Sequence, residues 1–196
     1  MSAPEVVVVA VLAVLAGIVS WVMWYWYRAS QEVVGETETL NPGGERGTAL
    51  VVYHPGRRGF LHSVIQAFAE GLVRSGWRVD ITTASSQAPA DVGSYDLLAF
   101  GGPTYMWAPG RPIKRYVSRL GDLGGKPTVI IVTGFGMTDR STSIMEKLVQ
   151  GANGELVNSL SFFKSRPNDE EDPRPNREVA MEMATRAGEE ILALLK

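Results

Sequence analysis

The sequence has no cysteine, only two histidines, and a formal net charge of -2 over 196 residues. Without cysteine there are no disulfides, thiolate zinc sites, iron–sulfur clusters or cysteine nucleophiles. His54 and His62 are the only imidazoles, eight positions apart and without a local carboxylate cluster, so no metal site is expected. A Ser-His-Asp arrangement has equally little to draw on, and no catalytic side chain is assigned. The near-neutral charge lacks the basic footprint of a nucleic-acid binder.

Charge is also missing from one long run. Val6 to Tyr27 holds no charged residue, and these 22 residues would span roughly 33 Å as a helix, enough to cross a bilayer core. Residues 1–27 are therefore read as a single-pass transmembrane anchor. Trp21, Trp24, Tyr25, Trp26 and Tyr27 crowd its carboxyl end, where amphipathic rings favour the headgroup level. A cleavable signal peptide would want a basic amino-terminal region, a shorter apolar core and small residues at the cleavage site, whereas Glu5 precedes this core and bulky aromatics end it. Arg28 and Arg46 follow the run and no Lys or Arg precedes it, which places the following domain in the cytoplasm. Residues 28–46, polar and rich in Glu, Thr and Gly, read as a linker to a domain over 47–196.

In that domain, apolar strand-like runs alternate with helix-period segments, the signature of βα units around a parallel sheet. Strands are expected at Ala49–Tyr53, Trp77–Thr83, Leu97–Phe100, Pro127–Thr133 and Leu156–Phe163. The second, alternating Trp, Val and Ile with Arg, Asp and Thr, suits a strand exposed on one face near an edge. Amphipathic helices are expected over Phe60–Val73, Ile113–Leu120, Ile144–Val149 and from Asn176, a helix N-cap, to Leu195. Five strands and their helices make a three-layer α/β sandwich, and right-handed crossovers put every loop after a strand on one sheet edge.

Three of those loops carry chemistry. After the first strand, HPGRRGF offers Gly56 and Gly59 in a turn opening a helix, with Arg57 and Arg58 as fixed cations. Such a turn holds a phosphate, or is simply tight with two solvated arginines. After the third strand, Gly101, Gly102 and Pro103 end the apolar run, and Tyr105, Met106 and Trp107 follow. Flat side chains there wall a planar ligand or cover the core edge; on this stretch alone both readings stand. After the fourth strand, Gly134, Phe135 and Gly136 give the backbone room to approach a ring or merely to turn. His54 reads as a loop-edge histidine, Asp139 as a helix N-cap, and Asp169 to Asp172 as solvated loop.

The element order, the strand, glycine turn and helix beginning at Ala49, and the GGPTYMWAPGRP stretch resemble the flavodoxin-like superfamily, in particular its short flavodoxin and quinone-reductase-like members. The resemblance covers Thr48 to Lys196, and Gly101–Tyr105 is its most specific piece. It implies a doubly wound five-stranded sheet in the order 2-1-3-4-5 with FMN at the switch point. Gly56, Arg57, Arg58, Gly59 and Phe60 would then surround the phosphate. Pro103, Thr104, Tyr105, Met106 and Trp107 would flank one side of the ring, and Gly134, Phe135, Gly136 and Met137 the other.

One departure is plain. The family's phosphate loop supplies several hydroxyls, and this one has none before Ser63, leaving bidentate arginine as the alternative means. Residues 48–196 hold 17 Lys and Arg against 16 Asp and Glu, unlike strongly acidic electron-carrier flavodoxins. The resemblance implies electron transfer to or from a membrane partner or a quinone, as a carrier or as an NAD(P)H:quinone oxidoreductase. A domain that has lost FMN and serves as a membrane-tethered interaction module is the alternative.

Overall fold

The computed structural model describes residues 3–56 and 59–195 and divides into two units, Met1–Gln31 and Glu32–Lys196. The first is helix α1 (Ala3–Ala29). Val and Ile are poor helix formers in water, but in hydrocarbon a helix satisfies every backbone group within the segment. Among the described residues α1 is the one helix long and apolar enough to cross a membrane, over Ala3–Tyr27. Trp21 and Tyr25, one turn apart, stack with ring centroids 6.1 Å apart.

The second unit is an α/β sandwich. Its elements are β1 (Glu38–Leu40), β2 (Thr48–Tyr53), α2 (Phe60–Arg74), β3 (Arg78–Thr83), β4 (Leu97–Tyr105), β5 (Ala108–Pro109), α3 (Arg111–Leu120), β6 (Pro127–Gly134), α4 (Asp139–Gly151), β7 (Glu155–Phe163) and α5 (Asn176–Glu189), ending in a 3-10 turn (Glu190–Ala193). The sheet runs β1-β3-β2-β4-β6-β7, with β5 paired only to β4. The five strands β3, β2, β4, β6 and β7 pair in parallel, so the expected five-strand order 2-1-3-4-5 is the order observed.

Side-chain parity along each central strand builds two cores, as a strand buried on both faces requires. Ala49 and Val51 of β2 face the layer of α2 and α5 with Ile65, Phe68, Ala180 and Ala184. Leu50 and Val52 face the layer of α3 and α4 with Phe100, Ile113, Met145 and Val149. The crossing of α2 and α5 is unusually close. A Cβ on Gly71 would strike the Thr185 carbonyl, and one on Gly188 would strike the Phe68 carbonyl.

Two elements differ from expectation. Residues 28–46 do not read as a linker throughout, because from Glu32 onward they belong to the second unit. β1 pairs antiparallel with β3. Thr83 Oγ1 donates to the Val33 carbonyl (2.6 Å) and accepts from the Gly35 amide (2.9 Å), and Thr39 Oγ1 donates to Asp80 Oδ1 (2.7 Å).

β3, accordingly, lies near the edge, one strand in from it, but is not exposed on one face. Asp80 and Thr82 are buried on the face that carries Leu50 and Val52. The Tyr95 hydroxyl, from the connection between β3 and β4, also donates to Asp80 (3.1 Å). A buried carboxylate persists only when so paired.

Candidate functional site

The loops after β2, β4, β6 and β7 leave the carboxyl edge of the parallel sheet, and the structure shows which of them touch. β4 does not stop at Phe100. It continues through Gly101, Gly102 and Pro103 to Tyr105, paired with β6 as far as Pro103 and Thr133. Pro103 is tolerated because β2 has already ended beside it. The Gly101 carbonyl takes the His54 amide (3.0 Å), and two residues on, the Pro103 carbonyl takes the Gly110 amide instead (3.0 Å).

β4 then folds back on β5 through a two-residue turn at Met106 and Trp107. Both have positive φ, 45° and 64°. This is the mirror-image hairpin turn that Asn-Gly normally occupies, and two bulky side chains in it are strained. Neither residue uses the turn to reach the core, since Met106 is 55% and Trp107 51% exposed.

The neighbouring loop behaves likewise. Gly134 ends β6, and Phe135 and Met137 are 58% and 65% exposed. A Cβ on Gly134 would lie 2.8 Å from Thr138 Cγ2 and 3.5 Å from Thr104 Oγ1, so the loops after β4 and β6 meet at this residue. The loop after β2 joins them from the other side, because a Cβ on Gly56 would lie 3.3 Å from Pro103 and 3.4 Å from Tyr105 Oη. His54 is not at the loop edge. It is buried beneath the hairpin, edge-on to Tyr105 at 6.3 Å and pressed against Gly110.

Helix termini hold a second set of differences. Asp139 is the first residue of α4 and Thr138 the N-cap, without a capping bond from its side chain. Thr138 Oγ1, Ser141 Oγ and Thr104 Oγ1 are all buried without a hydrogen-bond partner among the described residues. Asn176 is likewise not a cap; Pro175 holds that position. The Asn176 amide instead donates to the carbonyls of Phe163 (2.7 Å) and Arg166 (2.8 Å), organising the loop after β7.

The anion end is partly defined. Gly59 stands in the left-handed N-cap position of α2 with φ 66°. Phe60, expected beside a phosphate, packs its ring into the α2 core, leaving only its backbone amide at the helix start. Ser63 Oγ donates to the Gly59 carbonyl (3.1 Å) and accepts from Arg177 of α5. The Tyr53 hydroxyl lies 2.7 Å from His62 Nδ1; burial, with the Glu38 charge adding to it, pushes that phenol above its ordinary value. Arg57 and Arg58 lie outside the described residues.

The arrangement fits a flat, partly polar ring with an anionic tail. Met106 and Trp107 on the hairpin and Phe135 and Met137 on the neighbouring loop expose apolar groups at this edge, and the Thr104 hydroxyl, without a partner among the described residues, is free to donate where the loops meet. Strand order, crossovers and the meeting of these loops are those of one known architecture. The chain has a flavodoxin-like fold. It aligns with a flavodoxin from Streptococcus pneumonia TIGR4 at a TM-score of 0.61 and 16% identity, over 76% of this chain and 99% of that one.

An archaeal flavodoxin gives 0.57 and 14%, over 74% and 96% of the two chains. An NAD(P)H:quinone oxidoreductase from Methanothermobacter marburgensis gives 0.53 and 18%, over 75% and 96%. No family model and no curated protein matches the sequence. Beyond its five parallel strands this chain carries the short strands β1 and β5 and the apolar α1.

Sequence reasoning missed Thr138 and Ser141, whose hydroxyls gave no motif. It missed Arg177 as well, because the contact between α2 and α5 that brings it to Ser63 spans more than a hundred residues.

Proposed function

We propose that the chain is a membrane-anchored FMN protein that passes electrons to or from a membrane-associated partner or a quinone. The observation that carries this is the exposure of Met106 and Trp107 on a strained hairpin and of Phe135 and Met137 on the loop beside it, with the Thr104 hydroxyl buried where the two meet and without a partner among the described residues. Exposing four large apolar groups at one sheet edge is unfavourable unless something covers them. Pro103 to Trp107 would flank one side of the ring and Gly134 to Met137 the other. The phosphate would meet the backbone of Gly56, Gly59 and Phe60, with Arg57 and Arg58 supplying charge.

When bound, the flavin supplies one- or two-electron transfer. The protein's own part is to stack the ring, hydrogen-bond its edge, exclude water and hold the phosphate; none of this needs a side-chain acid or base. α1 would tether the domain at a bilayer, with the domain on the cytoplasmic side because Arg28 and Arg46 follow the span. The near-balanced charge of the domain argues against docking by a large negative surface.

The experiment compares FMN with riboflavin on the full chain in detergent. Arg57→Ala with Arg58→Ala should weaken FMN about tenfold more than riboflavin, the worth of one charge-assisted phosphate bond. Equal losses for the two ligands would remove the phosphate from this loop. Oxidation of NADH or NADPH with a quinone acceptor would make the chain a reductase, and flavin binding without turnover would make it a carrier.

A further inference from the structure

The loop after β7 is tied to the Phe135 loop by its first two residues. The Lys164 amide donates to the Gly134 carbonyl (2.8 Å) and the Ser165 amide to the Phe135 carbonyl (3.0 Å). Behind them the chain is fixed by side-chain amides. Asn168 Oδ1 accepts from the Phe163 amide (2.8 Å), Asn168 Nδ2 donates to the Phe163 carbonyl (2.9 Å), and the Arg166 guanidinium lies 3.6 Å over the Phe163 ring.

From this anchored backbone Lys164 Nζ reaches a point 5.8 Å from the centroid of Phe135, within cation–π range. Among the described residues no ion pair involves Lys164. The acidic residue of its own loop that does pair, Asp172, is taken by Arg174.

We infer that Lys164 sets the reduction potential of the flavin, raising it. The inference rests on the reading that FMN stacks against the Phe135 loop. Uptake of two electrons with one proton leaves one added negative charge on the ring. A cation held beside the wall of the site stabilises that charge and does little for the neutral oxidised ring, so the reduced flavin is bound more tightly than the oxidised one. The bound flavin is thereby a better electron acceptor than the same ring against a neutral wall. Lys164 is exposed, so part of the effect is screened by salt.

The test is a spectroelectrochemical titration of the full chain, in detergent and loaded with FMN, at low and high ionic strength. Lys164→Gln should lower the preference for reduced over oxidised flavin about tenfold, which is about 30 mV for a two-electron couple. Lys164→Glu should lower it further and Lys164→Arg should restore it. The differences should shrink in high salt, and Lys147→Gln, on the exposed surface of α4, should leave the potential unchanged. Equal potentials for wild type and Lys164→Gln, with FMN bound to both, overturn this inference and leave the proposed function standing. A chain that takes up no FMN overturns both.

Discussion

Replacing Met106→Asn together with Trp107→Gly should make the domain more stable and make it lose its flavin. Both residues sit in the left-handed region, which costs an L-residue about 1–2 kcal/mol each. Asn-Gly is the pair that this hairpin turn favours. Only the covered part of each side chain is forfeited, because both are more than half exposed. After the added freedom of Gly in the unfolded chain is counted, a net gain of about 1 kcal/mol remains.

Flavin affinity moves the other way. Removing the indole and the thioether from the hairpin should cost about 3 kcal/mol of binding, more than a hundredfold in Kd. Denaturant unfolding and FMN titration on the same preparation measure both effects. Core cover, the bland reading of these residues, makes the opposite forecast: stability falls and flavin affinity does not change.

The second large effect concerns the scaffold. Gly188→Val should unfold the domain or reduce its stability by about 3 kcal/mol, the upper range of overpacking costs. The new side chain meets the Phe68 carbonyl and the Leu72 amide, which are helix backbone and cannot move aside as a flexible side chain would. The helices can accept it only by separating, which opens the layer where Phe68 packs with Ala180 and Ala184. The same reasoning applies to Gly71 against the Thr185 carbonyl. Thermal melts followed by circular dichroism decide the matter; an unchanged midpoint for Gly188→Val would mean that the two helices do not cross at these glycines.

The parallel sheet was legible because its central strands are buried on both faces. Continuous runs such as Val129–Val132 have no alternative use in a short α/β domain. β1 was not legible, because three residues with only Leu40 half-buried carry no periodicity, and their pairing depends on what β3 offers across about forty residues. The extension of β4 was hidden by Gly101, Gly102 and Pro103. These normally end a strand, and they continue one here because β2 has stopped and the proline no longer needs to donate.

In the site, the loops were identifiable from their position after strands. Their contacts were not, since the meeting of Gly134 with Thr104 and of Gly56 with Tyr105 depends on strand order. Phe60 was legible as the first apolar residue of the helix, and only the resemblance set it beside a phosphate; its aromatic ring is drawn into the core as α2 begins.

The central claim is that the carboxyl edge of this sheet holds a flavin between the Met106–Trp107 hairpin and the Phe135 loop. Titration of FMN with the purified full chain in detergent, followed by flavin fluorescence, tests it directly. The account predicts saturable uptake of about one FMN per chain, with fluorescence quenched by stacking on Trp107, and a markedly weaker response when Trp107 is replaced by alanine. No saturable uptake with FMN in excess would contradict it, and would leave a flavodoxin-like domain whose exposed apolar groups serve a protein contact instead.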